Sequence, residues 1–461
     1  MPIRLFDTLS RHVLPLSPAR PGPFRIYCCG PTVYGPAHIG NFRTFILQDV
    51  LRRTLEVTGT PVRHVRNVTD VDDKTIRQSM AEGRSLAEFT AAWTERFHRD
   101  AAALNLLPPT IEPSAVAHIP QQITMIERLV ASGHAYVSRS GSVYFNVASF
   151  PAYGRLSRLQ EREVQAGASG AASVTQAEDH DEYDRETAAD FALWKARKPE
   201  DGPNFWSSPW GDGRPGWHIE CSAMATEYLG TNIDLHSGGI DLIFPHHENE
   251  IAQSECATGE TFVRHWFHVA HLTVDRQKMS KSLGNLYTVE DVVARGFTPT
   301  ELRYLLLSGH YRKPLNFTWD SLGAARRALE QIIERAQRLD VTQRGDPPST
   351  WGRLSDAVAA LEDDLNTPKA LGALFTVLDD LDANDAPALA ALLYALGLQP
   401  EKTEAPAVKI PEEVRALAEA RWSARATKNW AESDRLRDEL LRMGWRVLDS
   451  KEGYRLEPVP R

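Results

Sequence analysis

Four cysteines in 461 residues are too few for a disulfide framework. A chain this poor in cysteine suits a reducing compartment, where such residues serve as metal ligands or core packing. Long apolar runs are also missing; none approaches the ~20 residues that a membrane-spanning helix needs. The first twenty residues, MPIRLFDTLSRHVLPLSPAR, have no apolar core behind their first basic residue, so no secretory signal is expected. These absences predict a cytoplasmic protein. Basic excess is lacking too: the formal net charge is −9, which excludes a surface coated for nucleic acid but leaves room for a local basic groove. Part of the deficit is local, since Glu161–Asp190 holds nine acidic residues against two basic ones. No internal repeat is present.

What remains is ordinary globular composition, 42% hydrophobic and 25% charged, with length for two to four domains. Phe24–Cys29 reads as a short buried strand ending in a Gly-Pro turn. Thr44–Thr54 has helical periodicity, Val62–Asn67 reads as the next strand, and Ile119–Ser132 as another helix. This alternation predicts a parallel α/β sheet, with ligands bound at the carboxyl ends of its strands, where Cys29 falls. Gln165–Ala189, rich in Ala, Gly, Ser and acidic residues, reads as a flexible insertion, and sheet-like patterning resumes at Phe191–Trp194. From Thr298 helical periodicity dominates, over Glu301–Ser308, Ser321–Asp340, Leu354–Asp364 and Pro368–Leu381, with linkers at Thr342–Thr350 and Gln399–Pro411. A long helix over Glu412–Met443, broken once, precedes a small strand-like end. The last fifty residues carry eleven basic against ten acidic residues, mildly positive where the rest is negative.

His246 and Glu250 stand four apart in PHHENEIAQ, so on a helix both face one side and can grip one ion. Cys29 and Cys221 would complete a tetrahedral zinc set of two thiolates, an imidazole and a carboxylate. Spacing alone does not bring the two cysteines to that helix, and a solvated helix face with core cysteines is the plain alternative. A metalloprotease is excluded: HExxH requires a histidine at position 251, which is Ile251.

Two further segments point to nucleotide chemistry. PTVYGPAHIGN spans Pro31–Asn41, and KMSKS spans Lys278–Ser282, followed by Leu283-Gly284-Asn285. Together they resemble the two signature motifs of class I aminoacyl-tRNA synthetases, which cradle ATP over a Rossmann-like sheet. The usual first motif reads HIGH; here Asn41 replaces its last histidine and still offers an N–H donor. Among these enzymes the chain resembles the cysteinyl-tRNA synthetases over nearly its whole length, through YCCGPTVYGPAHIGN, RNVTDVDDK, GWHIECSAM, DLHSGGIDLIFPHHENEIAQSE, DRQKMSKSLGN, RYLLLSGHYR and DDLNTP.

The resemblance implies a set of roles. One Zn2+ per chain is held by Cys29, Cys221, His246 and Glu250, with the substrate thiol as a further ligand, while Cys28 and Cys256 only pack. His38, Asn41, Lys278 and Lys281 are the catalytic groups. ATP, with Mg2+, is bound by these four together with Gly40, Gly239, Asp241, Ser280 and Ser282, and Gly284 hinges the lysine loop. Trp217 closes over L-cysteine and Thr69 touches it. Arg425, Trp430, Asp434 and Arg437 read the anticodon of tRNA(Cys). The architecture implied is a Rossmann-like catalytic domain over residues 1–297 with a connective region inserted at about 110–215. A stem-contact helical bundle (298–400) and a small anticodon-binding domain (401–461) follow, in a chain that is commonly a monomer. Two rivals remain: a mycothiol-pathway cysteine ligase, which lacks the anticodon end, and an inactive RNA-binding descendant, which has no need of both motif lysines.

Overall fold

The computed structural model describes residues 3–159, 190–280, 283–341, 347–399, 411–427, 429–449 and 453–458. The Gln165–Ala189 insertion, Lys281, Ser282 and most of both expected linkers lie outside these. The chain divides into two compact units, Met1–Pro400 and Glu401–Arg461.

The first unit is organised by a parallel sheet in the order Trp266–Val269, Leu235–Gly239, Phe24–Cys28, Val62–Arg66. All five residues of Phe24–Cys28 are buried, as befits a central strand covered on both faces. Cys29 lies one residue beyond it, at the carboxyl end. The crossover from this strand to Val62–Arg66 is the helix Ile39–Val57, longer at both ends than its periodicity indicated. Its start is fixed by a capping box: His38 Nδ1 accepts from the Asn41 N–H (3.2 Å) and Asn41 Oδ1 accepts from the His38 N–H (3.1 Å).

An antiparallel sheet of Ala135–Val137, Val143–Phe145, Phe191–Ala196 and Gly213–Pro215 is set into this frame. A third sheet joins Gln277–Lys278, Leu272–Val274 and Leu315–Phe317. Behind them pack the helices Pro299–Leu307, Trp319–Arg338, Ser355–Glu362, Thr367–Val377 and Ala386–Leu396. The last of these was not anticipated, because APALAALLYAL is apolar on nearly every side. Ala388–Leu396 is wholly buried, so no polar face marks a period. Leu86–Ala103, also unanticipated, starts from a Ser85/Glu88 capping box.

Buried charge ties the helices together. Asp49 Oδ2 accepts from Arg53 (2.7 Å) and Arg303 (2.6 Å), and Arg303 also donates to the carbonyls of Leu396 and Leu104. Elsewhere Asp364 Oδ1, in DDLNTP, accepts from the Phe6 N–H (2.9 Å) and the Tyr311 hydroxyl (2.5 Å), so two of the recognised segments meet as a structural joint. Charges removed from water in this way need partners of this quality to be tolerated.

The second unit pairs Glu412–Ala426 with Trp430–Arg442, and a hairpin of Trp445–Asp449 and Tyr454–Pro458 follows. The single helical break falls where Asn429 caps the second helix. Val414, Ala418, Leu440 and Trp445 form its small core. Among the described residues no helix is long and apolar enough to cross a membrane.

Candidate active site

Cys29, Cys221, His246 and Glu250, drawn from four places in the chain, converge beneath the carboxyl end of the central strand. One ligand atom from each lies within 4.8 Å of all the others, and all four residues are buried. Cys29 Sγ is 3.9 Å from Cys221 Sγ and 3.7 Å from Glu250 Oε1. His246 Nε2 is 3.0 Å from Glu250 Oε1. The pair does not share one regular helix as its spacing suggested. His246 lies within a wide turn, Ile243–His247, in which Phe244 is extended, and Glu250 lies in the first turn of Glu248–Thr258.

Close approach explains the residue after Cys29: a Cβ on Gly30 would lie 1.6 Å from the Asn67 carbonyl oxygen. The Gly30 N–H donates to Asn67 Oδ1 (2.8 Å), the Asn67 amide to Thr69 Oγ1 (3.1 Å), and the Thr69 hydroxyl to Glu220. Thr69 is thus buried with its proton directed to Glu220, the neighbour of Cys221.

The electrostatics suit a cation. Burial pushes the Cys221 thiol up, but the Cys29 thiol donating to it and His246 beside it outweigh this and bring it down to about 6. Burial also opposes ionisation of Glu250, yet His236 and His246 hold its carboxyl down to about 2. Cys29, pushed up by burial and by Cys221, keeps its proton until something positive replaces it. A compact group of two sulfurs, an imidazole nitrogen and a carboxylate oxygen therefore concentrates negative charge in a dry pocket. Such a donor set fits a borderline-soft divalent metal.

Beneath the ligands lies a layer of histidines. His236 Nε2 is 2.9 Å from Glu250 Oε2, and His247 Nε2 is 3.4 Å from Cys29 Sγ. His247 Nδ1 continues to His268 Nε2 and His268 Nδ1 to Thr8 Oγ1, each at 2.7 Å. Cys29, His236, His247 and Glu250 are themselves close enough to hold an ion. Both His236 and His247 sit in DLHSGGIDLIFPHHENE, but only the fold reveals that they turn inward. On the open side Trp217 begins the helix Trp217–Leu229 with its ring 4.3 Å from that of His246. Of the other cysteines, Cys28 is fully buried in the core and Cys256 is half-buried.

The second cluster of predicted residues is more open. Asn41, Asp241 and Lys278 are exposed and His38 is half-buried. Since His38 Nδ1 accepts the capping N–H, its proton resides on Nε2, free to donate. Burial holds the His38 imidazole below its usual range, against the opposing pull of Asp241 nearby. The helix start and the lysine hairpin touch: a Cβ on Gly40 would lie 3.0 Å from Met279 Sδ, and the Ile39 N–H donates to the Tyr287 carbonyl (2.8 Å). Asn285 braces the loop, accepting from the Ser280 N–H (2.8 Å) and donating to the Lys278 carbonyl (3.2 Å). Gly284 takes φ +62°, in the region glycine favours. Gly239 is the last residue of its strand, two residues before Asp241.

In the second unit Arg425, Trp430, Asp434 and Arg437 are all exposed. The Arg425 guanidinium lies 5.9 Å from the Trp430 ring centre, and Arg437 pairs with Asp434 at 3.1 Å. An indole flanked by the Arg425 guanidinium is exposed there.

Three family models match: the tRNA synthetases class I (C) catalytic domain over residues 15–327, the DALR domain over 358–397, and the cysteinyl-tRNA ligase anticodon binding domain over 407–454. The chain is 56% identical to a cysteine–tRNA ligase of Opitutus terrae across the full length of both. It is 42% identical to one from Chlamydia caviae, covering 99% of this chain and 98% of the other. Among solved structures it is similar in fold to the methionyl-tRNA synthetase of Mycobacterium tuberculosis bound by methionyl-adenylate. That match has a TM-score of 0.56 at 15% identity and covers 81% of this chain and 89% of the other.

Proposed function

The chain belongs to the class I cysteinyl-tRNA synthetases, and from that premise we propose how its residues activate cysteine with ATP and load it onto tRNA(Cys). The observation that carries the reading is the convergence of Cys29, Cys221, His246 and Glu250 in one buried cluster, beside the sheet edge where His38, Asp241 and Lys278 gather. A zinc ion held by those four residues would prefer sulfur to oxygen, and so separates cysteine from serine where shape alone achieves only about 10²-fold.

The rest is done by the chain. Trp217 covers the amino acid and sheds water from the pocket. Thr69, anchored to Glu220, borders it. Attack of the substrate carboxylate on the α-phosphorus of ATP forms cysteinyl-adenylate and expels pyrophosphate, so negative charge grows on the phosphate oxygens. The protein needs no nucleophile of its own for this; positioned donors and cations suffice. His38 Nε2 and the Asn41 side-chain N–H donate at a helix N-terminus that already favours anions. Lys278 and Lys281 bring positive charge to the leaving pyrophosphate, with Ser280 and Ser282 beside them. Gly40 and Gly239 let the nucleotide approach the backbone, Asp241 accepts from its ribose hydroxyls, and Mg2+ accompanies the phosphates. A ribose hydroxyl at the 3′ end of tRNA(Cys) then attacks the adenylate carbonyl and releases AMP.

Arg425, Trp430, Asp434 and Arg437 read the anticodon, through stacking on the indole and hydrogen bonds to base edges. In this division of labour residues 1–297 carry catalysis, 298–400 the stem contact and 401–461 the anticodon contact. A charging assay with cysteine, ATP and total tRNA tests the whole. Charged tRNA(Cys) is expected, and cysteine passed instead to a small amino sugar would overturn the reading.

A further inference from the structure

Arg43 is fully buried on the helix Ile39–Val57, two residues beyond Asn41, and among the described residues it meets no carboxylate. Its guanidinium is shared by four backbone carbonyls. Nη1 donates to Ala270 (2.6 Å) and His271 (2.7 Å), and Nη2 to Lys313 (2.7 Å) and His310 (3.2 Å). Burial lowers this side chain to about 10, so it remains charged at neutral pH. Four neutral acceptors in a dry site are a costly way to hold one cation unless their placement matters.

Their placement is informative. Ala270 and His271 immediately precede the strand Leu272–Val274, which turns through Asp275 and Arg276 (φ 49° and 66°) into Gln277–Lys278. His310 and Lys313 lead into Leu315–Phe317, the parallel partner of the same strand. One side chain thereby grips the root of the hairpin's first strand and the root of the strand paired beside it, from the helix whose first turn holds His38 and Asn41. Just past the hairpin's second strand Met279 lies against Gly40, and farther on the Tyr287 carbonyl accepts from the Ile39 N–H. The turn is tied into the same sheet, the Asp275 N–H donating to the Phe317 carbonyl (3.1 Å) and the Arg276 N–H to Asn316 Oδ1 (2.6 Å).

We infer that Arg43 is a positioning residue for adenylation, setting the distance between the lysine hairpin and the His38–Asn41 helix start through its four carbonyl contacts. The inference rests on the reading of Lys278 as a phosphate-binding group. A lysine ammonium replacing the fork reaches at most three acceptors and cannot hold both roots in one plane. A displacement of about 1 Å at reacting groups costs on the order of 10²-fold in rate.

The test uses the full-length protein in cysteine-dependent ATP–pyrophosphate exchange, comparing Arg43→Lys, Arg43→Gln, Lys278→Ala and Arg43→Lys combined with Lys278→Ala. Arg43→Lys is expected to lower kcat by about 10²-fold with KM for cysteine unchanged, and Arg43→Gln to lower it further. The double variant is expected to lose less than the product of the two single losses, because both act on one contact. Multiplicative losses overturn the inference, as does a rise in KM for cysteine matching the fall in kcat. If Lys278→Ala leaves exchange intact, the reading of the hairpin fails first, and that outcome separates the two claims. Should Arg43→Gln fail to fold, Arg43→Lys with normal thermal unfolding and unaltered kcat is enough to overturn the proposal.

Discussion

The two sides of the site solve opposite problems. On the amino-acid side Cys221, His246 and Glu250 are at most 1% exposed, and a second layer of histidines fixes them from below. On the nucleotide side Asn41, Asp241 and Lys278 stand in solvent, held by a capping box and a braced hairpin. Discriminating sulfur from oxygen requires a dry, pre-set pocket, because water would blunt the one atomic difference. Gripping triphosphate needs charge that can reach out and let go. Damage should therefore fall mainly on cysteine binding on one side and on rate on the other.

The largest effect is expected from Cys29→Ser. Losing one member of a buried charged cluster costs about 4 kcal/mol, close to a thousandfold, so cysteine-dependent exchange should collapse while ATP still binds in equilibrium dialysis. Near wild-type exchange in that variant would sink the metal reading, and stripping the metal with a chelator should reproduce the variant's behaviour. Next comes Lys278→Ala, expected to lower kcat of exchange by about 10²-fold, as loss of one transition-state donor does. Its KM for cysteine should stay put; a shift there would erase the distinction between the two sides. Trp430→Ala probes a third, fully open region. Loss of one stacked base costs about 1–3 kcal/mol, so the tRNA concentration for half-maximal charging should rise roughly tenfold with exchange intact. Unaltered charging after deletion of everything beyond Pro411 would refute the anticodon assignment. The smallest expected effect is the sharpest. Thr8→Val removes one hydrogen bond at the far end of the histidine chain, worth about 1 kcal/mol, and should raise KM for cysteine roughly fivefold without touching ATP.

The same contrast decided what could be read from sequence. HIGN and KMSKS are short, contiguous and locally self-supporting, so their residues stood out before any fold was known. The proposed metal ligands are scattered, and only His246 and Glu250 are related by spacing. Cys29 and Cys221 entered through family resemblance, since no periodicity announces that the end of a strand will meet a helix nearly two hundred residues on. His236 and His268 were invisible because strand residues declare a face only once the sheet order is fixed. Arg43 was hidden for another reason: backbone carbonyls, its four partners, leave no trace in residue type. The helix Ala386–Leu396 escaped because complete burial erases the period by which helices are recognised.

The wide spacing of the proposed metal ligands also sets a clock. Cys29 and Glu250 are separated by 221 residues. At roughly 5–20 residues per second the ribosome takes about 10–45 s to travel between them. Throughout that interval Cys29 has left the peptidyl-transferase centre before Glu250 exists, so capture of an ion by the full proposed set waits until Glu250 has been made. For the proposed zinc site to form, the Cys29 and Cys221 thiols must therefore stay reduced until Glu250 has been made.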